Sequence, residues 1–86
     1  MASKIFRHTF VVDNIKGKGK LLESTLFSAK PFLGVSAWED LGLLYIFTES
    51  RFVDTETVEM ACNINRINLR TSVETRKVRS TPDFEI

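Results

Sequence analysis

IFRHTFVV, residues Ile5 to Val12, is the first strongly β-prone run of the chain. Its aromatic and β-branched residues suit a pleated, half-buried surface, so it reads as a central strand. The segments C-terminal to it decide the fold. Asp13 to Lys20 (DNIKGKGK) contains Gly17 and Gly19, which interrupt any regular element and predict a loop. In Leu21 to Ala29 (LLESTLFSA), Leu22, Leu26 and Ala29 fall at helical spacing, and Pro31 disfavours helical geometry at Lys30, which ends a first helix. Phe32 to Trp38 (FLGVSAW) and Leu43 to Thr48 (LLYIFT) predict two antiparallel strands. Glu39, Asp40, Leu41 and Gly42 join them, a connection of hairpin length with glycine near its end.

Asp54 suits an N-cap, Glu56 complements the positive end of the helix dipole, and Val53, Thr57, Met60, Ile64 and Ile67 predict the buried stripe of a second helix. Asn68 to Arg79 (NLRTSVETRKVR) alternates and predicts a last strand. Its faces are Leu69, Thr71, Val73 and Thr75 on one side and Arg70, Ser72, Glu74 and Arg76 on the other. The order is therefore βαββαβ. Right-handed crossovers turn it into two split βαβ units: a four-stranded antiparallel sheet in spatial order 4-1-3-2 with both helices on one face. The expected class is α+β, a ferredoxin-like sandwich. Were Leu21 to Ala29 not helical, a small curved α+β sheet would be the alternative.

The chain of 86 residues has room for one core, since a chain this short buries only about 60–65% of its unfolded surface. A single domain over residues 1–80 is expected, with a flexible tail over 81–86. An apolar share of 43% and a charged share of 27% match soluble globular proteins and exclude disordered and membrane compositions. No apolar run nears the roughly 18–20 residues of a bilayer span, and MASKIFRH holds no signal-peptide core, so a cytoplasmic protein without a membrane partner is expected. Cys62 is the only cysteine, which rules out an internal disulfide and a multi-cysteine zinc site. No metal and no cofactor are expected.

The near-neutral net charge of +1 hides a dipole. Residues 1–20 hold five bases against Asp13, and residues 60–80 five bases against Glu74. Residues 21–59 hold two bases against seven acids. With the first and fourth strands adjacent, the basic segments are expected to form one pole, able to steer toward phosphates or an acidic protein surface. Scattered charges that serve solubility alone are the competing explanation.

Phe10 to Ile15 (FVVDNI) and Gly42 to Phe47 (GLLYIF) resemble the first- and third-strand motifs of RNA-recognition domains. The resemblance spans about a dozen residues. It implies bases stacking on aromatics of an open sheet face. Tyr45 stands where a stacking aromatic belongs, whereas Leu43 replaces the other, Leu41 takes a basic position and Asp13 adds negative charge. The nucleic-acid site this implies is Lys16, Lys18, Lys20, Tyr45, Arg70, Arg76, Lys77 and Arg79. Tyr45 and Phe47 are equally explained as ordinary residues of a hydrophobic strand.

Catalytic signals are weak. Gly17-Lys18-Gly19-Lys20 lacks the spacing of a P-loop or dinucleotide fingerprint and reads as a solvated loop. His8, mid-strand, reads as a half-buried sheet residue, and Cys62 as a small core residue. Acylphosphatase shares the element order, but its glycine and arginine phosphate loop has no counterpart here. No catalytic residues are therefore assigned.

Trp38, beside Glu39 and Asp40 at the end of an edge strand, is the expected anchor of a protein interface. Such an edge accepts a strand from a partner or a second copy, so a homodimer through a sheet edge is also expected. A tryptophan capping the core between hairpin and helix explains the same position. The expected function is a small non-enzymatic binding protein, a regulator, adaptor or inhibitor that occupies a surface of a larger protein. Compact viral and mobile-element accessory proteins are often built this way. Nucleic-acid binding through the open sheet face and basic pole is the alternative.

Overall fold

The computed structural model describes residues 4–78; Arg79 and the expected tail lie outside the described residues. The elements are β1 (Ile5–Asp13), α1 (Gly19–Ala29), β2 (Gly34–Trp38), β3 (Leu43–Thr48), α2 (Thr55–Ile64) and β4 (Asn68–Val78). The strands form one antiparallel sheet in the order β2-β3-β1-β4, the expected order read from the other edge. Leu22 and Leu26 of α1 and Val58, Ala61 and Cys62 of α2 pack with Phe10, Val12, Leu44 and Ile46 into one core, so both helices cover the same face. This is a ferredoxin-like α+β sandwich.

α1 starts two residues before the leucine-rich stretch. Its first amide, which no helical carbonyl can reach, finds a carboxylate: Glu39 accepts from Gly19 N at 2.8 Å and also from Gly17 N of the preceding loop at 2.7 Å. β2 starts later than expected, because the Phe32 amide turns back to the Lys30 carbonyl. In the β2–β3 turn Trp38 O accepts from the amides of Leu41 and Gly42, and Gly42 sits at φ 66°, a region that favours glycine.

The buried stripe of α2 differs from the expected one. Val58, Ala61 and Cys62 face the core, whereas Met60 and Ile64 are 60% and 66% exposed. Val53 and Ile67 do reach the core, but both lie outside the helix. Asp54 caps its start and Arg66, at φ 58°, breaks the chain direction beyond its end. Carrying helical phase through those two residues rotates the stripe by about a third of a turn.

The simple alternation of β4 also fails. Its register against β1 shifts twice, leaving Val73 and Arg70 as extra residues at bulges. Each bulge resets the face, so Leu69, Ser72 and Thr75 share the helix side with Val12, Phe10 and His8, while Thr71, Glu74 and Arg76 lie on the open side.

Candidate functional site

The open face of the sheet carries an aromatic group at its β2–β3 end. Trp38 and Tyr45 meet edge to face, ring centroids 6.4 Å apart at 62°. The Arg7 guanidinium lies 4.8 Å from the Tyr45 centroid, a cation–π contact. Register explains the meeting: Thr9 and Ser36 flank Tyr45, so Arg7 on β1 and Trp38 on β2 are its diagonal neighbours. Trp38 is 42% exposed and Leu41, in the adjoining turn, 65%. Phe47 is fully buried although it stands outside the core cluster, and Thr9 is buried too, so the accessible aromatic surface of this face is its Trp38–Tyr45 end, apart from the exposed Thr71, Glu74 and Arg76 of β4.

The three expected interface residues separate. Trp38 and Asp40 are exposed, but Glu39 is committed to the amides of Gly17 and Gly19. Those two amide hydrogen bonds, helped by the charge of Lys16, hold its carboxyl below the usual range. The same contact closes the glycine loop to an outside phosphate, because the amides that would cradle one already serve Glu39. The β2 edge is also partly closed: Glu23 Oε2 accepts from the outward Ala37 amide at 2.8 Å.

The expected basic pole is divided. Lys16, Lys18 and Lys20 sit at the end of the sheet where β1 finishes and β4 begins, together with Arg70; Arg76 and Lys77 sit at the opposite end. Arg76 pairs with Arg7 and Arg70 sits at the bulge between Val11 and Val12, so roughly 15 Å along β1 separates these two arginines. At the first end Lys18 Nζ donates to Arg66 O at 3.1 Å, and Arg70 pairs with Asp13 at 3.1 Å. At the second, Arg76 lies 3.8 Å from Glu74, and Lys77 lines a concavity of about 350 Å³ with Lys4, Phe6, Arg51 and Thr75. Tyr45 joins neither group, and one of its faces is taken by Arg7.

His8 is buried on the core side, 2.7 Å from Thr48 Oγ1 through Nε2 and 2.9 Å from Thr75 Oγ1 through Nδ1. Thr48 donates its own proton to Ser50 O, so it accepts from His8 Nε2–H, and Thr75 donates to Nδ1. This network satisfies a neutral imidazole. Burial lowers its pKa, and the opposing effect of the Ser50 carbonyl is smaller. The Cys62 thiol is pushed up to about 11, by burial first and by Glu59 second, which suits a core residue and disfavours a thiolate. Among the described residues no group of three or more His, Cys, Asp or Glu side chains is placed to hold a metal.

Sequence reasoning missed Arg7 and Glu23. Arg7 becomes a Tyr45 neighbour only through strand register, and Glu23 reaches β2 only because α1 packs beside it. Compared with family models, curated proteins and solved structures, the chain matches none.

Proposed function

We propose that this chain is a non-enzymatic binding protein that regulates, bridges or inhibits a larger protein by occupying its surface with the Trp38–Tyr45–Arg7 group. One observation carries this reading: a tryptophan, a tyrosine and an arginine are already assembled on a half-exposed sheet face. These are the residue types most enriched among interface anchors. Their mutual contacts hold the rings in place before any partner arrives, so less side-chain freedom is lost on binding. Leu41 and Asp40 in the adjoining turn would extend the apolar contact and its polar rim.

The test compares immobilised wild-type protein with Trp38→Ala and Tyr45→Ala in nuclease-treated cell lysate. A stoichiometric protein held by wild type and lost from both variants, whose melting temperatures stay near wild type, is the expected result. Equal capture by all three refutes the site. Nucleic-acid binding is the second reading, and the concavity where Lys4, Arg51 and Lys77 surround Phe6 favours it. In a parallel capture from untreated lysate, recovery of nuclease-sensitive material that depends on Lys77 and not on Trp38 would replace the first reading with the second.

A further inference from the structure

We propose that β4 is a self-association edge, pairing antiparallel with β4 of a second copy about Thr75 to form one eight-stranded sheet. The two edges of the sheet are unequal. At β2, Glu23 takes the outward Ala37 amide. At β4, among the described residues, no strand pairs with the outer side, and every residue except Leu69 and Val78 is exposed. A long unpaired edge is a template for another strand.

The order of charges selects the partner and the register. A two-fold axis perpendicular to the sheet keeps both helical layers on one side, and it requires opposed residues to come from the same face. The unbroken run of β4 against β1 is Glu74 to Val78. A centre on Glu74, Arg76 or Lys77 sets a like charge against its own copy. A centre on Thr75 sets Glu74 of each copy opposite Arg76 of the other, within the unbroken run. Glu74 and Arg76 share the open face. They are also only 3.8 Å apart within one chain, so both charged groups already stand together at this edge. Opposite charges directly across a ladder stabilise it and like charges destabilise it, and symmetry makes each effect occur twice. The bulges at Val73 and Arg70 confine regular pairing to this end of β4 and limit slippage. In the dimer both open faces point the same way, with the two Tyr45 strands five strand spacings, about 24 Å, apart.

The experiment is sedimentation of the full chain over a concentration series. Wild type is expected to pass from monomer to dimer. Glu74→Arg and Arg76→Glu should each weaken the dimer at least tenfold, roughly, by opposing like charges at two positions. An equimolar mixture of the two variants should recover it, because the mixed pair places two arginines opposite two glutamates. Circular dichroism and melting of each variant check that the monomer is folded; should either fail, Glu74→Gln and Arg76→Gln take their place and are each expected to weaken the dimer. Wild type that stays monomeric throughout, single variants that dimerise like wild type, or a mixture that fails to recover association would each overturn the proposal.

Discussion

His8 shows how one side chain ties three strands and carries a pH dependence with it. It sits on β1 between Thr48 of β3 and Thr75 of β4, and the network around it accommodates the neutral ring. Because burial lowers its folded pKa below 6.5, the unfolded chain binds more protons in the window beneath that value. Its contribution is therefore complete above pH 6.5, declines as pH falls through 6.5 toward the folded value, and is constant below that. Urea melts should show stability falling as pH drops below about 6.5, and His8→Gln, whatever its absolute stability, should lose that slope. An unchanged slope would assign the titration elsewhere. Asp54 acts with the opposite sign. Lys30 at 2.7 Å and the Thr57 hydroxyl and amide lower its carboxyl to about 2, so its contribution is present above 3.8 and lost as pH falls from there toward 2. Asp54→Asn should flatten the acid limb in that range and leave the His8 window alone. Gly42 is a third single-residue constraint: at φ 66°, with the Val12 carbonyl oxygen 3.0 Å from where a Cβ would stand, it should lose about 1–2 kcal/mol as Gly42→Ala, measured by chemical denaturation.

At the scale of elements, what the sequence discloses depends on how far each determinant reaches along the chain. Strand and helix identities rest on short-range composition, and the strand order follows from chirality once those identities are known, so both were legible. Helix phase and strand faces were not, because each requires knowing where the element starts. α2 is the clearest case: its true stripe, Val58, Ala61 and Cys62, contains alanine and cysteine, while the bulkier Met60 and Ile64 lie outside and line a shallow groove with Thr25 and Ala29 of α1. Val58→Ala should therefore cost about 2 kcal/mol of unfolding free energy, whereas Met60→Ala should stay within about 0.5. The reverse ranking would restore the stripe expected from periodicity. The faces of β4 failed for a related reason, since bulges leave no mark in a run of exposed polar residues. The cap supplied by Glu39 was hidden as well, because its partners lie in a different loop. At the candidate site, Trp38 and Tyr45 were legible as single residues. Their union with Arg7 was not, since it exists only in the register β2-β3-β1.

For the whole molecule, the distribution of charge weighs on what it binds. A polyanion gains affinity from many cations acting along one track, and each phosphate neutralised on a single strand adds about 0.7 to the salt slope. Here the bases lie in two groups toward opposite ends of the sheet, with Asp13 and Glu74 each beside an arginine and Glu39 beside Lys16. A short single-stranded oligonucleotide should therefore bind weakly and with a shallow slope, corresponding to two or three contacts at most by this count of local cations. The Trp38–Tyr45–Arg7 group is compact by comparison. Removing Trp38 from a protein interface should cost on the order of 2 kcal/mol or more, about thirtyfold in Kd, and should appear mainly in the dissociation rate. Added salt should act chiefly on the association rate. Once a partner has been captured, surface-bound kinetics with wild type, Trp38→Ala and Lys77→Glu at low and high salt separate these expectations. A fast off-rate confined to Trp38→Ala supports protein docking on the open sheet face. A steep salt slope abolished by Lys77→Glu and indifferent to Trp38 would transfer the site to the basic concavity around Phe6.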